Sequence, residues 1–319
     1  MQDELSPLRL MQTVFRGIGI SVLYGIISFA LIIHSDGSAA AYDFAVAFIR
    51  SYNSLISFGL IIGSTLIVYR SQNIIPETIE TTFREDETEL WPNGYLFYLD
   101  RYENRIRSLM IIAVYATFGF LIFSTCRFKI SPIADLSMML CACAQWGMGV
   151  YIGRKLCYAG MMLHSLRCVT VRKNLFKTRS LDSVTSYVHI IGTLTMVFVY
   201  VHVRGYYNGP FQFDTLFRDG PRTLLILPAF VATPVLLIFT FYSRSVVQRL
   251  YSRSIDFEIE HVRALLRSEN LTRFEERSYL AELDKMSRDE LRYSLQLALS
   301  DLPIMATVAV MVLEPVFGK

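Results

Sequence analysis

Charge is scarce in this chain. Only 18% of its 319 residues are Asp, Glu, Lys or Arg, and they are clustered. Almost none falls inside the long apolar runs. Pumps and ion-coupled transporters place ionisable groups at such depths, so their absence argues against active transport. The net charge of +3, with no basic, aromatic-interleaved patch, argues against nucleic acid. The five cysteines (Cys126, Cys141, Cys143, Cys157 and Cys168) are odd in number and mostly lie in or near apolar runs. They form no disulfide framework and match no zinc spacing, and they read as small packing residues. No Gly-rich phosphate loop, nucleophile elbow or zinc-protease motif occurs, so neither an enzyme nor a cofactor is expected. No internal repeat supports an inverted-repeat transporter.

What the chain does have is hydrophobicity. Apolar and aromatic residues make up 53% of it, and the mean hydropathy is +0.38. That composition predicts an all-α, polytopic membrane protein whose charged segments lie between spans. Six spans are expected in residues 1–243, at about 17–33, 51–69, 108–126, 136–153, 183–203 and 223–243. Residues 39–41 are three alanines that could pass for a signal-peptidase site. The preceding apolar run exceeds the roughly 7–15 residues of a signal core and reads as a retained anchor. Residues 71–107 read as a polar loop with an acidic core at 84–89 and a turn at 91–94. A helix from Tyr95 onward is expected to run unbroken into the third span. The fourth span is expected to continue as one long helix past Arg154 and Lys155 to Leu163, ahead of a basic segment at 167–179. Pro228 and Pro234 should kink the sixth span.

Orientation follows from the basic residues. Strict alternation places 24 of the 31 Lys and Arg on the side of the N-terminus and 7 on the other. The N-terminus and the large polar segments are therefore expected in the cytoplasm, and the plasma membrane is the expected location. Many aromatics sit at span ends, as interfacial belts do. Arg50, at the outer end of the second span, reads as a snorkelling side chain.

Residues 244–300 form the largest charged region and are expected to make a cytoplasmic helical bundle continuous with the sixth span. Ile255, Ile259, Val262 and Leu266 fall on one helical face. A break is expected at Glu269 and Asn270. Ser287 to Glu290 reads as a capping box that starts a new helix, with Leu291, Leu295 and Leu299 four apart on one face. Together these seven residues are the candidate cytoplasmic packing or oligomer face. Asp301, Leu302 and Pro303 stop that helix. The short apolar segment that follows, within 301–319, is a candidate seventh span. It falls short of about 20 residues and would need support from neighbouring helices. If it crosses, Lys319 lies outside.

Smaller constellations carry less. Asp100, Arg101 and Tyr102 match the triplet that closes the third helix of G-protein-coupled receptors, but here they precede the helix and the topology is inverted. His189 and His202 lie thirteen residues apart with no carboxylate or thiol at metal spacing, and read as polar packing. His164 shares a face with Cys157 and Cys168, but four ligands are lacking.

The layout resembles the insect odorant and gustatory receptor superfamily: seven helices, an internal N-terminus, long fourth and sixth helices, and a last helix split into cytoplasmic and membrane halves. In place of that family's Thr-Tyr…Gln-Phe signature the chain carries Asp301 to Ile304 and Ala306 to Val312. The resemblance implies a receptor-like tetramer assembled through its cytoplasmic helices. It also implies a small-molecule ligand bound among the outer halves of the helices and a cation pore lined by the last helix. Thr307, Val308, Met311 and Val312 would then line the pore as an apolar neck gated by dewetting. Two alternatives stay open: a non-conducting scaffold or anchor whose cytoplasmic helices bind a partner, and a passive small-molecule carrier.

Overall fold

The structure is a computed structural model. It describes residues 6–50, 53–83, 93–125, 131–169, 175, 181–206, 220–268, 273–302, 304–306 and 309. Among them every regular element is helical. Helix α1 spans Pro7–Asp36, α2 Ser38–Arg50, α3 Phe58–Arg70, α4 Ile74–Phe83 and α5 Asn93–Glu103. Helix α6 spans Arg105–Thr125, α7 Pro132–Ser165, α8 Asp182–Tyr206, α9 Gly220–Ser268 and α10 Arg273–Ser300. A π-helical turn at Asn53–Ser57 leads into α3.

Four helical stretches among the described residues are long and apolar enough to cross a membrane: Leu8–Asp36, Leu55–Phe83, Pro132–Ser165 and Asp182–Val199. The protein is thus built for membrane association. Apolar side chains are also turned outward on α6, among them Leu109, Val114, Phe118 and Leu121.

Helices α1 and α3 make the most extensive pairing. Glycines permit it. A Cβ on Gly17 would sit 2.5 Å from the Gly63 amide nitrogen and closer still to the Gly59 carbonyl. A Cβ on Gly59 would meet the Ile18 backbone at 2.7 Å. The two backbones therefore touch, which is how membrane helices gain dispersion contact where lipid removes the hydrophobic drive. Polar side chains add ties between helices. Ser21 donates to the Leu55 carbonyl in the π-turn at 2.7 Å. Tyr24 donates to the Ser137 carbonyl at 2.6 Å, and Ser57 donates to Gln145 at 3.1 Å.

The turn after α1 uses Gly37, whose φ of 88° suits glycine. Asp36 then accepts from the Ile133 amide at 3.2 Å, at the start of α7. A carboxylate is favourable there because the first turn of a helix leaves N–H groups unpaired. Residues 39–41 continue into α2, and Ala41 is fully buried in the core.

Helix α7 runs unbroken through Arg154 and Lys155, as expected, and α9 is one 49-residue helix from Gly220 to Ser268 that includes Pro228 and Pro234. Other expectations are corrected. Part of the expected polar loop is α4, with Ile74, Ile75 and Ile79 buried. The helix expected to run from Tyr95 into the third span breaks at Asn104. There Asn104 accepts from the Arg107 amide at 2.9 Å and caps α6. No helix starts at Ser287. Helix α10 is continuous, because Met286 is buried on the same face as Tyr279 and Leu283 and no glycine or proline interrupts the run. The acidic core 84–89, the break at 269–270 and most of the basic segment 167–179 lie outside the described residues.

The α5–α6 break leaves helix-end carbonyls, and α7 supplies their donors. Lys155 donates to the Tyr102 carbonyl, and Arg154 donates to the Arg101 carbonyl at 2.6 Å and to the Ser108 hydroxyl. The Lys155 ammonium also lies 4.0 Å from the Tyr102 ring centre. Cations at the C-terminal end of α5 complement its dipole. Lys155 is 3% exposed. Burial, with Tyr187 close by, pushes the Tyr102 phenol well above its ordinary value, so it stays neutral.

The glycine contact gives a test. Gly17→Leu should destabilise the protein by at least the roughly 1–3 kcal/mol typical of overpacking, since backbone rather than a side chain must move. Gly19→Leu, which meets nothing within 4 Å, should not. Thermal unfolding in detergent compares the two.

Candidate functional site

Three helices converge on one buried ion pair. Arg244 lies on α9, just past the sixth expected span, and is 5% exposed. Its guanidinium pairs with the carboxylate of Asp301, the residue directly after α10. His189 of α8 places Nδ1 4.0 Å from the same carboxylate. Each position has a local cause. Asp301 sits where the helix must stop before Pro303, so its side chain lies at the joint between α10 and the terminal apolar segment. Arg244 is carried there by the unbroken α9. Ile304, three residues after Asp301, is buried. The pair therefore fastens the start of the terminal segment to α9, with His189 of α8 close beside it.

Below this joint α8 and α9 are joined again. Tyr251 of α9 donates to Asp182 and accepts from the Leu181 amide, both at 2.9 Å, which closes the start of α8. His164 of α7 bonds the Tyr242 hydroxyl of α9. Among the described residues no group of three His, Cys, Asp or Glu is placed to hold a metal ion.

The candidate packing face divides in two. Ile255 and Val262 are buried within the protomer, and Ile259 and Leu266 are half-buried. The α9 part of the candidate packing or oligomer face is thus partly covered within the chain. Leu291, Leu295 and Leu299 on α10 are 67%, 56% and 57% exposed, and Leu302 continues their row. Helix α10 uses Tyr279, Leu283 and Met286 as its inward side, and the leucine row points the opposite way. The candidate pore residues Thr307, Val308, Met311 and Val312 lie outside the described residues, as does the His202 side chain.

Sequence reading had Arg244, Asp301 and His189 as unconnected residues. The available signals were an arginine ending an apolar run and an aspartate two residues before a proline. Comparison with family models, with curated proteins and with solved structures finds no match to this chain.

Removing one member of a buried ion pair leaves the other charge unsatisfied and costs about 3–5 kcal/mol. Asp301→Asn should therefore lower the thermal midpoint markedly in detergent. Adding Arg244→Met to Asp301→Leu should recover much of the loss, because both charges are then gone. Equal midpoints for Asp301→Asn and the wild type would mean that the pair does not hold the joint.

Proposed function

We propose that this chain is a multi-pass membrane protein that works as a receptor-like oligomer, with its terminal apolar segment lining a cation-conducting path. Helices α6 and α9 supply two spans beyond the four apolar stretches, and 304–317 supplies a seventh. The N-terminus and α10 face the cytoplasm, in keeping with the distribution of Lys and Arg.

The observation that carries this reading is the Arg244–Asp301 pair. An ion pair at the junction of α10 and the terminal segment would brace the start of that segment. A segment shorter than about 20 residues needs such support to cross. The exposed row of Leu291, Leu295 and Leu299 then serves assembly, since an apolar row on a charged helix is a typical interface seam. Thr307, Val308, Met311 and Val312 form a narrow apolar neck that expels water until it widens.

The same leucine row favours a second reading, a non-conducting scaffold whose α10 docks a soluble partner. The side on which Lys319 emerges separates the two. A tag after Lys319 should be accessible from outside the cell. A cytoplasmic tag would exclude the conducting path and leave the scaffold.

Two further outcomes are expected. Replacing Leu291, Leu295 and Leu299 by serine should convert the detergent-solubilised oligomer to monomer without lowering its thermal midpoint, because these side chains are exposed in the protomer. Val308→Ser and Val312→Ser should increase basal whole-cell current. Unchanged currents would reject the neck.

A further inference from the structure

Two expected spans meet in positive charge at one corner of the fold. Arg105 and Arg107 stand at the start of α6, directly before the third expected span, and both are exposed. Arg154 and Lys155 follow the fourth expected span on α7. The break between α5 and α6 brings the two pairs together. Arg154 bonds the Ser108 hydroxyl of α6. Arg105 lies within electrostatic reach of Lys155 and of Tyr151, one turn earlier on α7.

These cations outnumber their acceptors. Lys155, 3% exposed, donates to the Tyr102 carbonyl and faces the Tyr102 ring. Arg154 spends its two terminal nitrogens on the Arg101 carbonyl and the Ser108 hydroxyl, and its shielded Nε has no partner. Among the described residues none of the four cations forms an ion pair. Glu103 is the carboxylate within electrostatic reach of Lys155, and it is exposed to water. A shielded cation without an anion is costly, and the summed field of the four reaches the surface at Arg105 and Arg107.

That surface has a second property. Leu109 lies four residues after Arg105, and Met110 three after Arg107, so each arginine shares a face with an apolar side chain one turn on. Ile106, Leu109 and Met110 are 73%, 66% and 63% exposed. Positive charge at the foot of α6 is thus continued along the helix by an uncovered apolar strip. A soluble anion would match the arginines and leave the strip bare. An anionic lipid matches both, with its phosphate at the arginines and its acyl chains along the strip.

We infer that the corner of α5, α6 and α7 is a headgroup site for an anionic glycerophospholipid of the bilayer. Arg105 and Arg107 bond the phosphate, while Arg154 and Lys155 stand behind them as fixed positive charges. The site rests on the reading of α6 as a membrane span.

The test uses the full chain reconstituted in phosphatidylcholine with a trace of lipid carrying a nitroxide on one acyl chain. Electron spin resonance separates lipid immobilised at the protein from free bilayer lipid. Labelled phosphatidylserine should be immobilised several-fold more than labelled phosphatidylcholine, and the excess should fall as unlabelled phosphatidylserine fills the site. Much of it should persist in 1 M sodium chloride, where the Debye length of about 3 Å removes diffuse attraction to other basic residues. Arg105→Gln with Arg107→Gln should abolish the excess. Arg9→Gln with Arg16→Gln, two exposed cations on the same expected side, should leave it. Equal immobilisation of the two lipids by the wild type, or an excess that survives Arg105→Gln with Arg107→Gln, would overturn the site. Displacement by millimolar inorganic phosphate would overturn the lipid as its occupant. If neither lipid is immobilised, the membrane placement itself falls, and the site with it.

Discussion

A polar group that leaves water for an apolar layer must find its partner within the protein, and this fold is arranged around that demand. The Arg244–Asp301 pair is its strongest case, since the guanidinium is buried beside the carboxylate. His189 of a third helix stands beside the same carboxylate, its Nδ1 4.0 Å away. Along α7 the problem is reversed. There the orphans are the carbonyls at the end of α5, and Lys155 and Arg154 come to them as donors. Ser21, Tyr24 and Ser57 meet the same demand with single hydrogen bonds. Lipid gives helices no hydrophobic reason to associate, so these bonds and the glycine contact of α1 with α3 set which helices are neighbours.

The placement of these partners also concentrates features around the terminal joint. Asp301 ends α10, Arg244 reaches it from the long α9, and His189 of α8 lies beside it. Helix α10 leaves the joint with one face against the rest of the protomer and its leucine row uncovered. Among the described residues the joint is buried against the bundle, whereas Leu291, Leu295 and Leu299 of α10 are exposed.

Much of the helical outline was legible in the chain. The apolar run of α7 passes Arg154 and Lys155 without a glycine or proline pair to stop it, and the structure keeps one helix. The stop before Pro303 is local steric chemistry and appears where expected. The misreadings have physical sources. Asn104 is a good N-cap residue, yet it sits inside a run whose apolar spacing looked unbroken. Ser287 begins a plausible capping box, yet capping needs a non-helical backbone at that residue, and burial of Met286 holds the helix through it. Periodicity puts Ile255, Ile259, Val262 and Leu266 on one face but does not say how much of it the same chain covers: Ile255 and Val262 are buried and Ile259 and Leu266 half-buried, whereas Leu291, Leu295 and Leu299 are exposed.

By itself the sequence determined the class of the protein, its long apolar helices and the apolar faces they carry, because these depend on composition and on spacings within a few residues. Only the tertiary structure decided that Arg244, Asp301 and His189 meet, and that Lys155 closes the end of α5. Those pairings join residues far apart in the chain, and they exist only once the helices have been laid side by side. Local spacing holds no record of that arrangement, since each of these residues, taken in its own helix, looks like an ordinary side chain near a span end.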